Sequence, residues 1–286
     1  MKPATLTLIA CLCLLIGACA SAKEDNEAPP VDTSLTNEQI VLKVLQEGLV
    51  ERDLDVVETY VAKDYKQHNP YAATGRQGLV DFIKSMRGGG HGTFKNVRIF
   101  SDGEYVVTHN EYDLGEKQIT FDVFRVVDHQ LVEHWDGVKA PAERSVNGHT
   151  ETDGAAGAVE LNKTDENKKL VRKFVDDVLV NGNVSKVAEY LDGENFVQHD
   201  PEIADGATAW GNALKHARNF GKQYNYDVRR VLGAGNFVLV QSKGDREGAE
   251  LAMYDLFRVM NGKIVEHWTI RQKIPENPAN ENGMVD

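Results

Sequence analysis

The chain has 286 residues, of which 44 are acidic and 32 basic, for a formal net charge of −12. That balance leaves no basic stripe to neutralise phosphates, which argues against a nucleic-acid partner and against electrostatic adhesion to an anionic membrane. A hydrophobic fraction of 41% is enough for packed cores in two ordinary domains, and all three cysteines, Cys11, Cys13 and Cys19, precede the foldable part, which therefore has no disulfide, thiolate metal site or cysteine nucleophile.

At the N-terminus, Lys2 forms a short positive region and Leu6 to Ile16 an apolar run of signal-peptide length, too short to span a bilayer. The run ends in Ile16-Gly17-Ala18-Cys19, which resembles a bacterial lipobox. The resemblance implies a lipoprotein signal peptide over residues 1–19, with Cys19 lipidated as the mature N-terminus. Ala20, rather than Asp, follows the cysteine, and by the same resemblance this implies the outer membrane, with the chain facing the periplasm. An ordinary secretory signal cleaved near Ala20 or Ala22 is the alternative. Residues 20–35 are polar, include Pro29-Pro30, and read as a flexible tether.

The remainder repeats itself. Tyr65-Lys66-Gln67-His68-Asn69-Pro70 matches Phe196-Val197-Gln198-His199-Asp200-Pro201, and Val132-Glu133-His134-Trp135 recurs as Val265-Glu266-His267-Trp268. Phe121-Asp122-Val123-Phe124-Arg125-Val126 matches Tyr254-Asp255-Leu256-Phe257-Arg258-Val259. Such near-colinear self-similarity reads as a tandem duplication, with domains at 36–141 and 164–275, a linker at 142–163 and a loose polar tail at 276–286. Each copy opens with a helical stripe, behind Thr36-x-x-Gln39 in copy one and Thr164 in copy two. A short helix follows (54–61, 184–191), then the Gln-His-x-Pro segment, then a third helix after Gly75 or Gly206. Four strands complete each copy: 94–101, 104–113, 118–127 and 130–138, then 225–232, 236–243, 250–260 and 263–271. Helices followed by antiparallel strands make an α+β layout.

With those motifs in that order, both copies resemble the SnoaL-like branch of the NTF2-like superfamily, nearest to the group of predicted SnoaL-like aldol-condensation enzymes. The resemblance implies two tandem cones, each of three helices packed on a curved antiparallel sheet around an apolar pocket. Cyclases, isomerases, hydrolases and non-catalytic binding modules share that fold, so the fold leaves the reaction open.

The final hairpin decides which side chains enter the cone. A two-residue Asn261-Gly262 turn pairs Met260 with Lys263, whereas a three-residue loop pairs Val259 with Lys263 and sets Asp255 opposite His267. Copy one has Asp128-His129 and no glycine, which favours the three-residue loop, with Asp122 opposite His134 and with Asp136 and Thr269 on the same face. Asp122, His134, Asp255 and His267 are then the candidate catalytic acid–base groups, and a buried Asp–His pair that only fixes the register is the alternative. His68, His109, Asp136, His199 and Gln241 are candidate ligand contacts, although turn capping serves equally well for the two Gln-His segments. Trp135 and Trp268 read as core or interface packing. His109, Asn69 and Asp136 become Gln241, Asp200 and Thr269 in copy two, so copy one is the better candidate if only one pocket is catalytic, and two different ligand preferences are the alternative.

Asp122, His134, His109 and His68 contain the residue types of a metal site, but the resemblance implies a metal-free pocket, and no cofactor is expected. Gly88-Gly89-Gly90 lacks the Gly-Lys-Ser/Thr of a phosphate loop. The expected partner is a hydrophobic small molecule, which the pocket either converts by acid–base lyase, isomerase or cyclase chemistry or merely holds. Family members commonly pair through their outer sheet faces, which implies an intramolecular pseudo-dimer of the two domains.

Overall fold

The structure, a computed structural model, describes residues 30–86 and 92–286. The expected signal peptide with Cys19 and the Gly88-Gly89-Gly90 stretch lie outside the described residues. Among the described residues no helix is long and apolar enough to cross a membrane.

Domain 1 begins with α1 (Asn37–Lys43). Its capping box is closed on both sides: Gln39 N–H donates to Thr36 Oγ1 at 3.3 Å, and Thr36 N–H to Gln39 Oε1 at 2.8 Å. The helix widens into a π-helical segment, Val44–Val50, and then come α2 (Leu54–Tyr60), β1 (Val61–Gln67), α3 (Gly75–Ser85), β2 (Thr93–Asp102), β3 (Tyr105–Asp113), β4 (Lys117–Val127) and β5 (Gln130–Lys139). Domain 2 repeats the order with α4 (Thr164–Phe174), a π-helical Val175–Val180, α5 (Val187–Tyr190), β6 (Val197–Gln198), α6 (Ala207–Asn219), β7 (Asn225–Ala234), β8 (Phe237–Arg246), β9 (Ala249–Met260) and β10 (Lys263–Lys273). The molecule is α+β, with two five-stranded sheets ordered β1-β5-β4-β3-β2 and β6-β10-β9-β8-β7.

Two expectations about the sheets need correction. The sheets are not wholly antiparallel, because β1 and β6 add parallel edge strands along β5 and β10. The register of β1 shifts between Val61 and Lys66, so its burial lacks the clean alternation by which a strand is read from sequence.

The second correction concerns the hairpin. Asp128 and His129 have φ of 49° and 61°, and Asn261 and Gly262 have 52° and 73°, so both turns are two-residue turns with paired left-handed residues. Met260 pairs with Lys263, and Val127 with Gln130. A bulge follows, between Arg125 and Val126 in one ladder and between Ile264 and Glu266 in the other. The turn and the bulge each change the facing of the last strand by one residue, so the parity expected of the three-residue loop is restored. Asp122 lies opposite Asp136 rather than His134, and Asp255 opposite Thr269 rather than His267, with each histidine a diagonal neighbour on the same face.

Inner faces pack under the helices around Phe124, Val106 and Leu131 in domain 1 and Phe257, Val240 and Ile264 in domain 2. The outer faces pack against each other through one cluster that includes Phe121, Val123 and Trp135 from domain 1 and Tyr254, Leu256 and Trp268 from domain 2. At Gly137 the sheets approach so closely that a Cβ would lie 2.6 Å from Tyr254 Cδ2. Each tryptophan receives a guanidinium from the other domain: Arg230 lies 4.0 Å from the Trp135 ring centre and Arg98 4.2 Å from that of Trp268.

The segments after β5 and β10 also cross over. In residues 141–153, Asp153 O accepts from Trp268 Nε1 at 3.1 Å, and Asn147 Nδ2 donates to Gln198 O at 2.7 Å. In residues 274–286, Asp286 O accepts from Trp135 Nε1 at 3.0 Å, and Asn282 Nδ2 donates to Gln67 O at 2.7 Å. The tail expected to be loose is therefore a docked strap with Met284 and Val285 buried, and each strap backs the Gln-His-x-Pro segment of the opposite domain.

Candidate functional site

In domain 1 the cone encloses a cavity with about 120 Å³ open to water-molecule centres, room for several waters or a small compound. Leu45, Leu49, Leu79, Phe82, Ile83 and Phe124 supply apolar wall, and Asp122, His134 and Asp136 line it among them. Tyr112 and Gln118 line both this cavity and a wider cleft bounded by residues 141–153.

Hydrogen bonds fix the protonation pattern of the Asp–His pair. Gln67 is in parallel register with His134 and so shares its inward face. The backbone N–H of Asn69 donates to Gln67 Oε1 at 2.9 Å, which identifies the amide oxygen. His134 Nδ1, 2.9 Å from the same oxygen, must then carry a proton and donate it. Its Nε2 lies 3.1 Å from Asp122 Oδ1, a contact that needs one shared proton, on the imidazole or on the carboxyl. The other carboxyl oxygen, Oδ2, accepts from Thr120 Oγ1 at 2.5 Å and Asn110 Nδ2 at 2.8 Å. Packing of the His134 ring on Phe124, 4.3 Å between centres, keeps water from one face of the pair.

Asp136 is 5% exposed, accepts from Asn69 Nδ2 at 2.6 Å through Oδ2, and has no partner for Oδ1. Burial pushes its pKa up to about 6, with the Asp122 charge adding to the rise and His134 opposing it. Burial also raises the Tyr65 and Tyr112 hydroxyls well above their usual range, so both stay neutral.

Domain 2 repeats the relay. Gln198 Oε1 accepts from Asp200 N–H at 3.0 Å and from His267 Nδ1 at 2.9 Å, and His267 Nε2 lies 3.0 Å from Asp255 Oδ1. The surroundings differ. Arg271 donates to Asp200 at 2.9 Å, lies 3.7 Å from Asp255, and stacks over Tyr224 at 4.5 Å. Burial acts to raise Asp255, but the His267 hydrogen bond and the Arg271 charge outweigh it and hold the carboxyl below its ordinary value. Trp210, at the position of Leu79, stacks on His267 at 4.6 Å and fills the cone.

The structure thus brings Asp122, His134 and Asp136 together in one interior, and Asp255 and His267 in the other. The remaining candidate ligand contacts are corrected, since they point away from the cones. Thr108 pairs with Asp122 and Val240 with Asp255, so strand alternation turns the next residues, His109 and Gln241, to the outer face. There His109 Nδ1 receives Arg98 Nη1 at 2.9 Å, and Gln241 donates to the Tyr254 hydroxyl at 3.0 Å. Alternation likewise sends Gln67 inward and His68 outward. His68 stacks on Trp135 at 4.6 Å, with Nε2 3.0 Å from Glu133 Oε1, and His199 stacks on Trp268 at 4.5 Å. Sequence reading missed Asn110, Thr120 and Arg271, although Thr120 lies two residues from Asp122 on β4, Asn110 two from its β3 partner Thr108, and Arg271 two from Thr269 on β10.

Among the described residues, two groups of side chains have metal-ligand chemistry: Asp122, His134 and Asp136 in the cavity, and His149, Asp153 and His199 where the first strap meets domain 2.

Comparison with known proteins places this geometry in a family. Solved structures of similar fold include a candidate ketosteroid isomerase from Kribbella flavida (18% identity, 41% of this chain and 84% of that chain, TM-score 0.35). A candidate polyketide cyclase from Acidithiobacillus ferrooxidans (14%, 37% and 88%, TM-score 0.33) and an epoxide hydrolase from M. tuberculosis (17%, 38% and 85%, TM-score 0.34) are also similar. No curated protein matches the chain. The SnoaL-like domain model matches residues 42–134 and again 171–267, together more than half of the sequence, and the chain belongs to the SnoaL-like family.

Proposed function

We propose that domain 1 binds a small, largely apolar carbonyl compound and moves a proton on it, in lyase, isomerase or cyclase chemistry, while domain 2 serves as its structural partner in a pseudo-dimer. The observation that carries this reading is the Asp122–His134 pair, which shares one proton at the wall of an apolar cavity and is oriented from behind by Gln67. His134 holds the proton that an enolate oxygen would accept, and Asp122 takes the one released from carbon. The family has no single reaction, so the assignment rests on these groups and not on the fold.

The test is a thermal-shift screen of residues 20–286 with small carbonyl compounds, followed by deuterium exchange at the carbon next to the carbonyl. A ligand at a hundredfold excess over Kd adds about 2.7 kcal/mol to stability. The shift and the exchange are expected in wild type and Asp255→Asn and lost in Asp122→Asn. Equal exchange in Asp122→Asn would sink the proposal. The same protein is proposed to be tethered to the outer membrane through a lipid on Cys19, because Ile16-Gly17-Ala18-Cys19 resembles a lipobox. Metabolic labelling with palmitate in a bacterial host should mark wild type and not Cys19→Ser, and a labelled Cys19→Ser protein would contradict the tether.

A further inference from the structure

We propose that Asp122, His134 and Asp136 form a binding site for one divalent metal ion, of the zinc or manganese type. This goes beyond the acid–base reading, and it departs from the metal-free pocket that the family resemblance implies.

One ligand atom from each of the three side chains lies within 4.8 Å of those from the other two, and all three residues are buried. His134 Nε2 and Asp122 Oδ1 are 3.1 Å apart, close to the roughly 3 Å separating two cis ligands bound at about 2.1 Å. Every atom pointing away from the cluster is already held. His134 Nδ1 donates to Gln67, Asp122 Oδ2 accepts from Thr120 and Asn110, and Asp136 Oδ2 accepts from Asn69. Such outer hydrogen bonds fix the tautomer and orientation of metal ligands. Asp136 Oδ1, by contrast, is buried in the cavity wall without a partner. A buried acceptor left unsatisfied costs about 1–3 kcal/mol and calls for an explanation.

Domain 2 supplies the independent observation. Thr269 occupies the position of Asp136, and Arg271 that of Val138, so the cluster that lost a carboxylate gained a guanidinium beside Asp255. A positive charge therefore stands at this place in one domain and is missing among the side chains at the matching place in the other. The ligand set also favours a metal ion over an organic cation, since one ligand atom from each of three side chains lies within 4.8 Å of the others and one of them is an imidazole nitrogen. A metal ion at Nε2 displaces the proton shared with Asp122, so the two occupants exclude each other. The acid–base chemistry then belongs to the metal-free protein, and a bound ion would block it while being able to polarise a carbonyl oxygen itself.

The experiment is a calorimetric titration of chelator-treated residues 20–286 with zinc chloride and, separately, manganese chloride, with no organic ligand present. A saturable site is expected in wild type and in His149→Ala, which disables the strap cluster. That site is expected to be absent in Asp136→Asn, a near-isosteric change that leaves the Asp122–His134 pair intact. Gln67→Ala should weaken it about 10–100-fold. The proposal is overturned if neither metal binds, or if His149→Ala removes the site while Asp136→Asn keeps it. Saturable binding of methylammonium with no response to either metal would overturn it too. Because the carbonyl screen can be run in chelator and this titration uses metal alone, failure of one reading is distinguishable from failure of the other.

Discussion

In domain 1 the catalytic-type carboxylate rests on neutral donors, Thr120 and Asn110, at the wall of an open cavity. In domain 2 the residues at those places are Met253 and Ser242, and the carboxylate is compensated by Arg271 in an interior that Trp210 fills. Both domains keep the Gln–His–Asp relay with hydrogen-bond lengths equal within 0.1 Å. The relay is therefore part of how the cone is built, because it ties the parallel edge strand to the last hairpin. What distinguishes the two interiors is the shell around the relay: neutral donors and space in one domain, a fixed cation and an indole in the other.

That contrast is most exposed at position 271. Arg271→Ala leaves Asp255 and Asp200 buried without their cation and should cost about 3–5 kcal/mol in denaturant unfolding, whereas Val138→Ala at the matching place should cost about 1 kcal/mol. Similar costs for the two variants would mean that Arg271 does not compensate the carboxylates.

A smaller effect of opposite sign is expected at Asp136. Burial raises its pKa from an ordinary 3.8 to about 6, so the folded state binds the proton more tightly than the unfolded chain does. The destabilisation is absent below the unfolded value and complete above the folded one. In chelator-treated protein, wild type should lose up to about 3 kcal/mol relative to Asp136→Asn as pH rises from about 3 to about 7, with no further change above. Melting curves of both proteins across that range check it, and a pH-independent difference would show that Asp136 is not held neutral.

The smallest effect separates the two turns. Asn261-Gly262 suits the left-handed pair, whereas domain 1 places His129 there at φ 61°. His129→Gly should add about 1 kcal/mol to stability, and a loss would show that the His129 side chain contributes contacts that outweigh its backbone cost.

Much of this molecule is legible in the sequence. The repeated motifs give two domains of one family, because a duplicated motif order needs no tertiary information. The Thr36 capping box follows from local spacing. The strand alternation that turns His109 and Gln241 outward was legible as well, and only the parity count was missing. The facing of the final hairpin came out right although the turn was read wrongly, since the two-residue turn and the bulge each shift the strand by one and together preserve the parity. Sequence alone does not announce such a bulge, because it depends on how the last strand bends to close the cone. The β1 edge strand is hidden for the same reason: it is held by the register of β5 and not by a periodicity of its own.

What the sequence by itself determined is each domain's order of helices and four antiparallel strands and the Asp–His pair at its centre, both set by local residue patterns. Only the tertiary structure decided which relay stays open. Arg271 reaches Asp255 and Asp200 through space, Trp210 comes onto His267 from another element, and each strap supports the domain to which it does not belong. Those contacts join residues far apart in the chain, where side-chain spacing carries no information and only packing fixes the distance.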